Sequence, residues 1–471
     1  MSNLIEDIIY TVSTLCDNEL GKDAILNMFF AKFGSVAACK NILTDSSRHV
    51  KPLPIAYYAL NFLPSGGNKT KPYKIINGFY NWLNEEYKNK NELNKVSYIE
   101  EKLHNLDDKA KKMKVKEIEK EADNIFCIEQ NTNGATSQRL YLATQAIKYM
   151  KFGSLFFYDT EFLDKFEKLN QKGNYDNVLN LIYNLYDGDL DVTSTALLNR
   201  VETTGISCCT CFASSYSKLM REPKLFTRFK EYLCSGFARR VFLYVSDECN
   251  NTKINTAIPT VDDIYTAKNK IPGIINTLKD LYNHTIEGGI YTFSKNADKL
   301  INDYHRTLKN EAVNKFSFTD TLPLEDEILK VELENSTWKI VKLAFIIHLM
   351  KDPSALSVGQ NSVYEAIDYY KNMSKYFSLF LNKKALDEDD KVLIYIKKNL
   401  NTTIDLNNDF KKLFGNTIKH NWKKFKEVEL LDILDNLQTQ EIYHCRIQQG
   451  KREYIKFYKK DDCSEDGLTE L

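Results

Sequence analysis

The 471-residue chain has no surplus of charge, since 64 lysines and arginines stand against 64 aspartates and glutamates. A uniformly basic coat for wrapping nucleic acid is thereby excluded, although local basic patches are not. A disulfide framework is also lacking: the ten cysteines are scattered and follow no pairing pattern, and a reducing, cytoplasmic compartment is the matching expectation. The start, MSNLIEDIIY, is acidic and amphipathic where a secretory signal would be basic and then apolar, so none is expected. No apolar run approaches the roughly 18 residues of a membrane span, which leaves no membrane partner in view. At 43% hydrophobic and 12% aromatic, the chain is rich enough in apolar groups to fold, and its length calls for about two to four domains.

The stretch PIAYYALNFLPSGGNKTKPYK, residues 54–74, carries the first chemical signal. An apolar run of strand character ends in a Gly-rich turn, and Lys69 and Thr70 stand where a helix would start. In a nucleotide-phosphate loop, backbone N–H groups cradle phosphates, a lysine neutralises them and a hydroxyl holds Mg²⁺. Ser65, Gly66, Gly67, Asn68, Lys69 and Thr70 are the candidate cradle for ATP. The pattern G-x-x-x-x-G-K-S/T has Gly at both ends, whereas this chain has Leu63 and Asn68 there. Gly-rich turns before helices also occur without any ligand.

Before this stretch, Ile5, Ile8, Ile9, Val12 and Leu15 fall at helical spacing, and Asp23 is a plausible cap for AILNMFFAKF. Residues 1–50 thus read as short helices packed on the next domain. After it, Pro72 lies in the first helical turn, and one long helix is expected through IINGFYNWLNEEYKN. Residues 89–123 form a charged helical insertion with both signs mixed, better suited to a solvated face than to nucleic acid.

NIFCIEQ reads as a second strand and GSLFFYDTEF as a third, which ends in Asp159 with Glu161 two residues on. A buried parallel strand ending in an acid suits a carboxylate that binds Mg²⁺, with a second one to orient the attacking water. A cap for the next helix is the plainer role for Asp159. LDVTSTALLNRVETTG resembles a hairpin and leads into the strand ISCCTCFASS. Strand alternation puts Cys209 and Cys211 on one face and Cys208 on the other, and no His or second Cys pair follows at zinc-finger spacing, so these are buried core thiols. Ser214 closes that strand near the expected γ-phosphate. Arg239 and Arg240 precede a fifth strand, as an arginine finger or as a surface ion pair.

The order PSGGNKT, NGATSQRL, LFFYDTEF, LYDGD, ISCCTCFASS, SGFARRVFLYVSD resembles the P-loop ATPase domains of phage, plasmid and prophage replication proteins, which are often fused to primases and described as helicases. The likeness covers roughly residues 50–250 and extends weakly to about residue 380. It implies an α/β fold, a P-loop NTPase core with a parallel sheet flanked by helices, with Thr70 and Asp159 on Mg²⁺, Glu161 on water, and Arg240, matching Gly-Phe-x-x-Arg at Gly236 and Phe237, as the finger. The family's paired Asp-Glu is interrupted here by Thr160. No primase domain is expected ahead of this core. A separate primase, a homo-oligomer for which a hexameric ring is one form, and single-stranded or forked DNA are the implied partners.

Four helical segments fill 251–385 as a helical domain in which His305 and His348 are core or surface residues. Residues 386–460 read as three helices and two strands around a Gln-Gln-Gly turn, the element order of a winged helix. Lys419, Lys423 and Lys424, with Lys451 and Arg452 at the wing, are its candidate DNA contacts. Residues 461–471 form an acidic tail. An ATP-driven replication protein is the leading expectation, and a degenerate P-loop scaffold that binds DNA and recruits partners is the alternative.

Overall fold

A computed structural model of the chain describes residues 2–17, 20–64, 69–104, 106–126, 137–169, 182–192, 201–246, 258–316, 322–382, 403–405, 442–449 and 452–459. They fall into two compact units: Met1–Lys218 with Leu225–Lys383, and Leu219–Lys224 with Lys384–Leu471. The fold is mixed α/β, with parallel sheets flanked by helices. Among the described residues, no helix is long and apolar enough to cross a membrane.

The first unit opens with α1 (Ser2–Leu15) and α2 (Lys22–Ala38). Asp23 lies in the first turn of α2 and is not its cap: Gly21 holds that place in extended geometry, and the Asp23 carboxylate accepts a hydrogen bond from Tyr376 at 2.9 Å. Two short strands, β1 (Leu43–Asp45) and β2 (Leu53–Pro54), lead to β3 (Ala56–Leu63). The long helix expected next is two, α3 (Lys71–Gly78) and α4 (Asn81–His104), with a break at Phe79 and Tyr80.

The charged insertion folds as α4 against α5 (Asp108–Phe126). Lys95 pairs with Asp123, and the Tyr98 hydroxyl donates to Glu121 at 2.6 Å. A strand at NIFCIEQ does not form at its start, because Asn124, Ile125 and Phe126 are the last turn of α5. The helix already running through the Glu and Lys pairs carries on over three more residues, at a lower cost than starting a strand there. Next come α6 (Ser137–Met150), β4 (Leu155–Asp159), α7 (Phe162–Leu169) and the antiparallel pair β5 (Asp189–Val192) and β6 (Val201–Thr204). The rest of the sheet is supplied by β7 (Cys208–Ser215) and β8 (Val241–Val245), between which lie α8 (Tyr216–Arg221) and α9 (Pro223–Tyr232).

The main sheet has the order β4-β7-β3-β8 and all its pairs are parallel. Every residue of β3, β7 and β8 is buried. These strands therefore read as unbroken apolar runs, as strands covered on both faces must. On one face, α2 lies against β3: Tyr57 donates to Asn27 at 2.9 Å, and Asn27 donates to Asn61 at 3.1 Å and to the Phe242 carbonyl at 3.0 Å. On the other, Phe162 of α7 stacks on Phe212 at 4.4 Å, and Phe229 of α9 meets Phe62 edge-on at 5.7 Å.

Four long helices follow: α10 (Val261–His284), α11 (Lys295–Lys315), α12 (Leu324–Leu349) and α13 (Gln360–Leu381). The last packs on β8 beside α2, through Tyr369 on Phe242 and Tyr376 on Tyr244. The strands β9 (Ile290–Phe293) and β10 (Ser357–Val358), too short to leave a periodic signal, join β1 and β2 in a small sheet of order β10-β9-β1-β2. In the second unit, β11 (Thr403–Asp405), β12 (Ile442–Gln449) and β13 (Arg452–Lys459) make an antiparallel sheet of order β11-β13-β12.

The core under the main sheet contains an unusual charge. Lys32 of α2 is buried beside Phe156, with its Nζ 5.0 Å from the ring centre. Among the described residues no acceptor hydrogen-bonds it. Burial pushes its ammonium down to about 8, against a weaker upward pull from Cys39, Cys211 and Cys209. Below that pH the folded protein bears a poorly solvated charge. Above it, the folded state gives up a proton that the unfolded lysine keeps until about 10.5, so this group's contribution to stability rises with pH in that window. Lys32→Met removes the effect. The variant should gain most over wild type below pH 8, and that gain should shrink by about 2 kcal/mol between about pH 7.5 and about pH 9.5, as read by urea unfolding at both pH values. A difference that does not change with pH would refute it.

Candidate functional site

Strand β3 ends at Leu63, whose side chain is only 2% exposed, so the place of the loop pattern's first glycine is taken by a buried residue of the strand. Ser65, Gly66, Gly67 and Asn68 lie outside the described residues. The chain is described again at Lys69 and Thr70, and α3 starts directly after them with Pro72 in its first turn. Thr70 is the N-cap residue, and its side chain makes no cap hydrogen bond. The hydroxyl is thus not consumed by the helix end, where backbone dipoles favour an anion.

Three separate stretches meet this point at the carboxyl edge of the sheet. Asp159 is the last residue of β4 and is buried; one of its oxygens accepts the Glu161 backbone N–H at 2.8 Å. It therefore forms a turn ahead of α7, which starts at Phe162, where a cap of that helix was the plainer expectation. The Glu161 carboxylate reaches Lys69, Oε1 to Nζ 2.9 Å, with the lysine side chain 13% and the glutamate side chain 55% exposed. Ser214 is buried near the end of β7, and its Oγ accepts the Leu163 backbone N–H at 3.4 Å. Because β7 stands between β3 and β4, the strands bearing the loop and Asp159 are two strand spacings apart, about 9.6 Å.

A positioning contact here left no trace in the sequence pattern. Tyr73, in the first turn of α3, stacks on Tyr158 with ring centres 3.4 Å apart, and Tyr158 immediately precedes Asp159. The pair ties the start of the helix to the acidic strand. Burial raises the Tyr158 phenol well above its ordinary range, with the Thr70 and Thr160 hydroxyls pulling the other way. The only hint lay in adjacency: each tyrosine falls within three positions of a residue already singled out.

Among the described residues, no group of three or more His, Cys, Asp or Glu could hold a metal ion by itself. Thr70 and Asp159 offer oxygen donors at the carboxyl edge of the sheet. This suits Mg²⁺, which keeps waters and phosphate oxygens for most of its shell. Cys208, Cys209 and Cys211 are buried free thiols, with Cys209 and Cys211 pushed up to about 12 by burial. His305 bonds Thr337 at 2.9 Å, and His348 bonds the Ala355 carbonyl at 2.7 Å.

Arg240 is not brought to this edge. It precedes β8, whose first residue Val241 pairs with Tyr58 near the start of β3, so it sits at the amino edge of the sheet. Nor does it project from the surface. Its side chain is 6% exposed, Nη2 pairs with Asp187 at 2.9 Å and Nη1 donates to the Gly236 carbonyl at 3.0 Å. Gly236 takes a φ of +123° in the turn that makes this contact, a conformation that side chains oppose. An arginine reaching out of the molecule is therefore corrected to a buried one held within its own chain. Of the candidate DNA contacts, Lys419, Lys423, Lys424 and Lys451 lie outside the described residues, and Arg452 opens β13 opposite Gln449.

No protein-family model matches the chain, and no curated protein matches it either.

The Lys69–Glu161 pair is partly open to solvent, the glutamate more than the lysine, and exposed ion pairs contribute little to folding. Glu161→Gln should change the free energy of urea unfolding by less than about 1 kcal/mol. A larger loss would make the pair a structural strut.

Proposed function

We infer that this chain binds and hydrolyses ATP with Mg²⁺ at the carboxyl edge of its parallel sheet, and that it uses the energy on DNA as a helicase or helicase-like replication motor of a phage or mobile element. The observation that carries this reading is the convergence of Lys69, Thr70, Asp159, Glu161 and Ser214, from three distant stretches, on one edge of one sheet. In open α/β sheets this edge is where ligands bind. The accompanying fold reading is a P-loop core on strands β4-β7-β3-β8.

In this scheme Lys69 holds the β- and γ-phosphates, and Thr70 and Asp159 hold the cation. Mg²⁺ supplies charge neutralisation on the phosphate oxygens. Lys69 cannot pair fully with both Glu161 and a triphosphate. When the lysine turns to phosphate, the Glu161 carboxylate is released to orient water for in-line attack, and Ser214 lies where the γ-phosphate would come. Arg240, engaged with Asp187, is left out of the catalytic set.

DNA contact is assigned to residues 386–460 as a winged helix. Support comes from the antiparallel order β11-β13-β12, in which a hairpin from Ile442–Gln449 to Arg452–Lys459 closes the sheet and an earlier strand pairs with its second arm. One observation favours the second reading, a P-loop scaffold that has lost catalysis: the buried Leu63 side chain at the strand end stiffens the place where the loop pattern uses Gly. Calorimetric titration with Mg-ATP separates the two, because a scaffold with an empty site would give no heat of binding.

The deciding measurement is ATP turnover with and without single-stranded DNA. Wild type should hydrolyse ATP faster when DNA is present, and Lys69→Ala should lose on the order of a hundredfold of that rate. Equal background turnover in both proteins would overturn the enzymatic reading.

A further inference from the structure

The opposite, amino edge of the main sheet holds a cavity of about 380 Å³, within the range of small-ligand pockets. Arg239 and Arg240 reach it from the turn before β8, Arg48 and Lys51 from the segment between β1 and β2, and Trp338 from α12. Four cationic side chains thus line it against one carboxylate, Asp187, which is already paired with Arg240. Arg48 donates from Nη1 to a neutral acceptor, Asn302 Oδ1, at 2.8 Å. Arg239 has no ion-pair partner among the described residues, and burial followed by repulsion from Arg240 holds its guanidinium below the usual range. Lys342, buried behind the wall, donates to the Tyr186 carbonyl.

The hydrogen-bond inventory points the same way as the charge. His49 stacks on Trp338 at 5.4 Å and 13°, and its side chain is 1% exposed. Burial and the Lys342 ammonium push its imidazole down to about 4, so the ring is neutral at neutral pH. Its Nδ1 accepts the Ser46 N–H at 3.2 Å, and a backbone hydrogen bond with Thr44 pulls weakly upward on the ring. Arg48 Nε and Arg240 Nε are buried without any acceptor among the described residues. Arg239, without an ion-pair partner among the described residues, and Arg48, bonded to a neutral amide, leave positive charge on this cavity that calls for a ligand that is anionic and offers acceptors.

We propose that this cavity is a second anion site, distinct from the Lys69 edge, and that it binds the phosphoryl group of a small phosphorylated molecule. Arg239 and Arg48 supply the charge-assisted bonds. Trp338 forms one side of the cavity and reports on its occupancy.

The test uses the full-length chain, free of divalent cations, titrated with inorganic pyrophosphate and followed by tryptophan emission and by calorimetry. The Lys69→Ala background silences the other edge, so that failure here and failure of the ATPase reading are told apart. Saturable binding at one site per chain should persist in Lys69→Ala and weaken at least about tenfold in Arg239→Ala and in Arg48→Ala. Trp338→Phe should abolish the emission change while the heat remains, because Trp338 is one of only three tryptophans in the chain. Unaltered melting temperatures in the arginine variants would confirm that they fold. Three outcomes overturn the proposal: no binding by Lys69→Ala at millimolar pyrophosphate, equal affinity in the arginine variants and wild type, or occupancy by a single-stranded oligonucleotide that pyrophosphate does not displace.

Discussion

Strand β3 is the constraint that the rest of the first unit answers to. All eight of its residues are buried, and it has a parallel neighbour on each side. A parallel strand cannot be paired by a tight turn, so each neighbour needs a crossover long enough to pack on a sheet face. Those crossovers supply α7 and α9 with their aromatic contacts, while α2, ahead of β3 in the chain, covers the other face. With both faces and both flanks of β3 occupied, the places left for chemistry are its two ends. Lys69 follows from one of them, and Arg239 and Arg240 lie near the other.

Charge is distributed unevenly although the whole chain is neutral. The buried lysines each meet a different solution to desolvation. Lys339 has a carboxylate, Glu332 at 2.5 Å, which also accepts from Tyr370 at 3.1 Å. Lys342 has a backbone carbonyl, and Lys32 has only an aromatic face and thiols. Net charge is silent on all three, because it counts groups without asking where they are. That is why a neutral composition can coexist with a strongly cationic cavity.

How much could be read in advance depended on how local each signal was. IAYYALNFL, LFFYD and VFLYV announced buried strands by continuous apolar runs, and the four long helices after residue 258 announced themselves by periodicity. The two strands of the last hairpin were legible, although Gln448 and Gln449, expected in its turn, are the last paired residues of β12. NIFCIEQ misled because its apolar run was judged alone, while the helix before it was already paid for in nucleation. β9 and β10 hold only four and two residues and exist through their neighbours. At the site, Lys69, Thr70, Asp159, Glu161 and Ser214 were legible as motif residues, each beside a strand end. The Tyr73–Tyr158 stack, the Asp187 partner of Arg240 and the cavity beside Trp338 were not, since each joins residues whose adjacency only the tertiary fold creates.

The sheet also sets a timetable for synthesis. Asn27 and Phe242, which hydrogen-bond across α2 and β8, are 215 residues apart, and β3 obtains its second neighbour only when β8 has left the ribosome. At about 5–20 residues per second, that is a wait on the order of ten seconds or more. Through it an eight-residue strand of nearly unbroken apolar character stands first unpaired and then half paired. Such a segment is what holding chaperones bind and what crowded nascent chains aggregate through. The feature that makes the finished core so well covered is thus the one most exposed while the chain is being made.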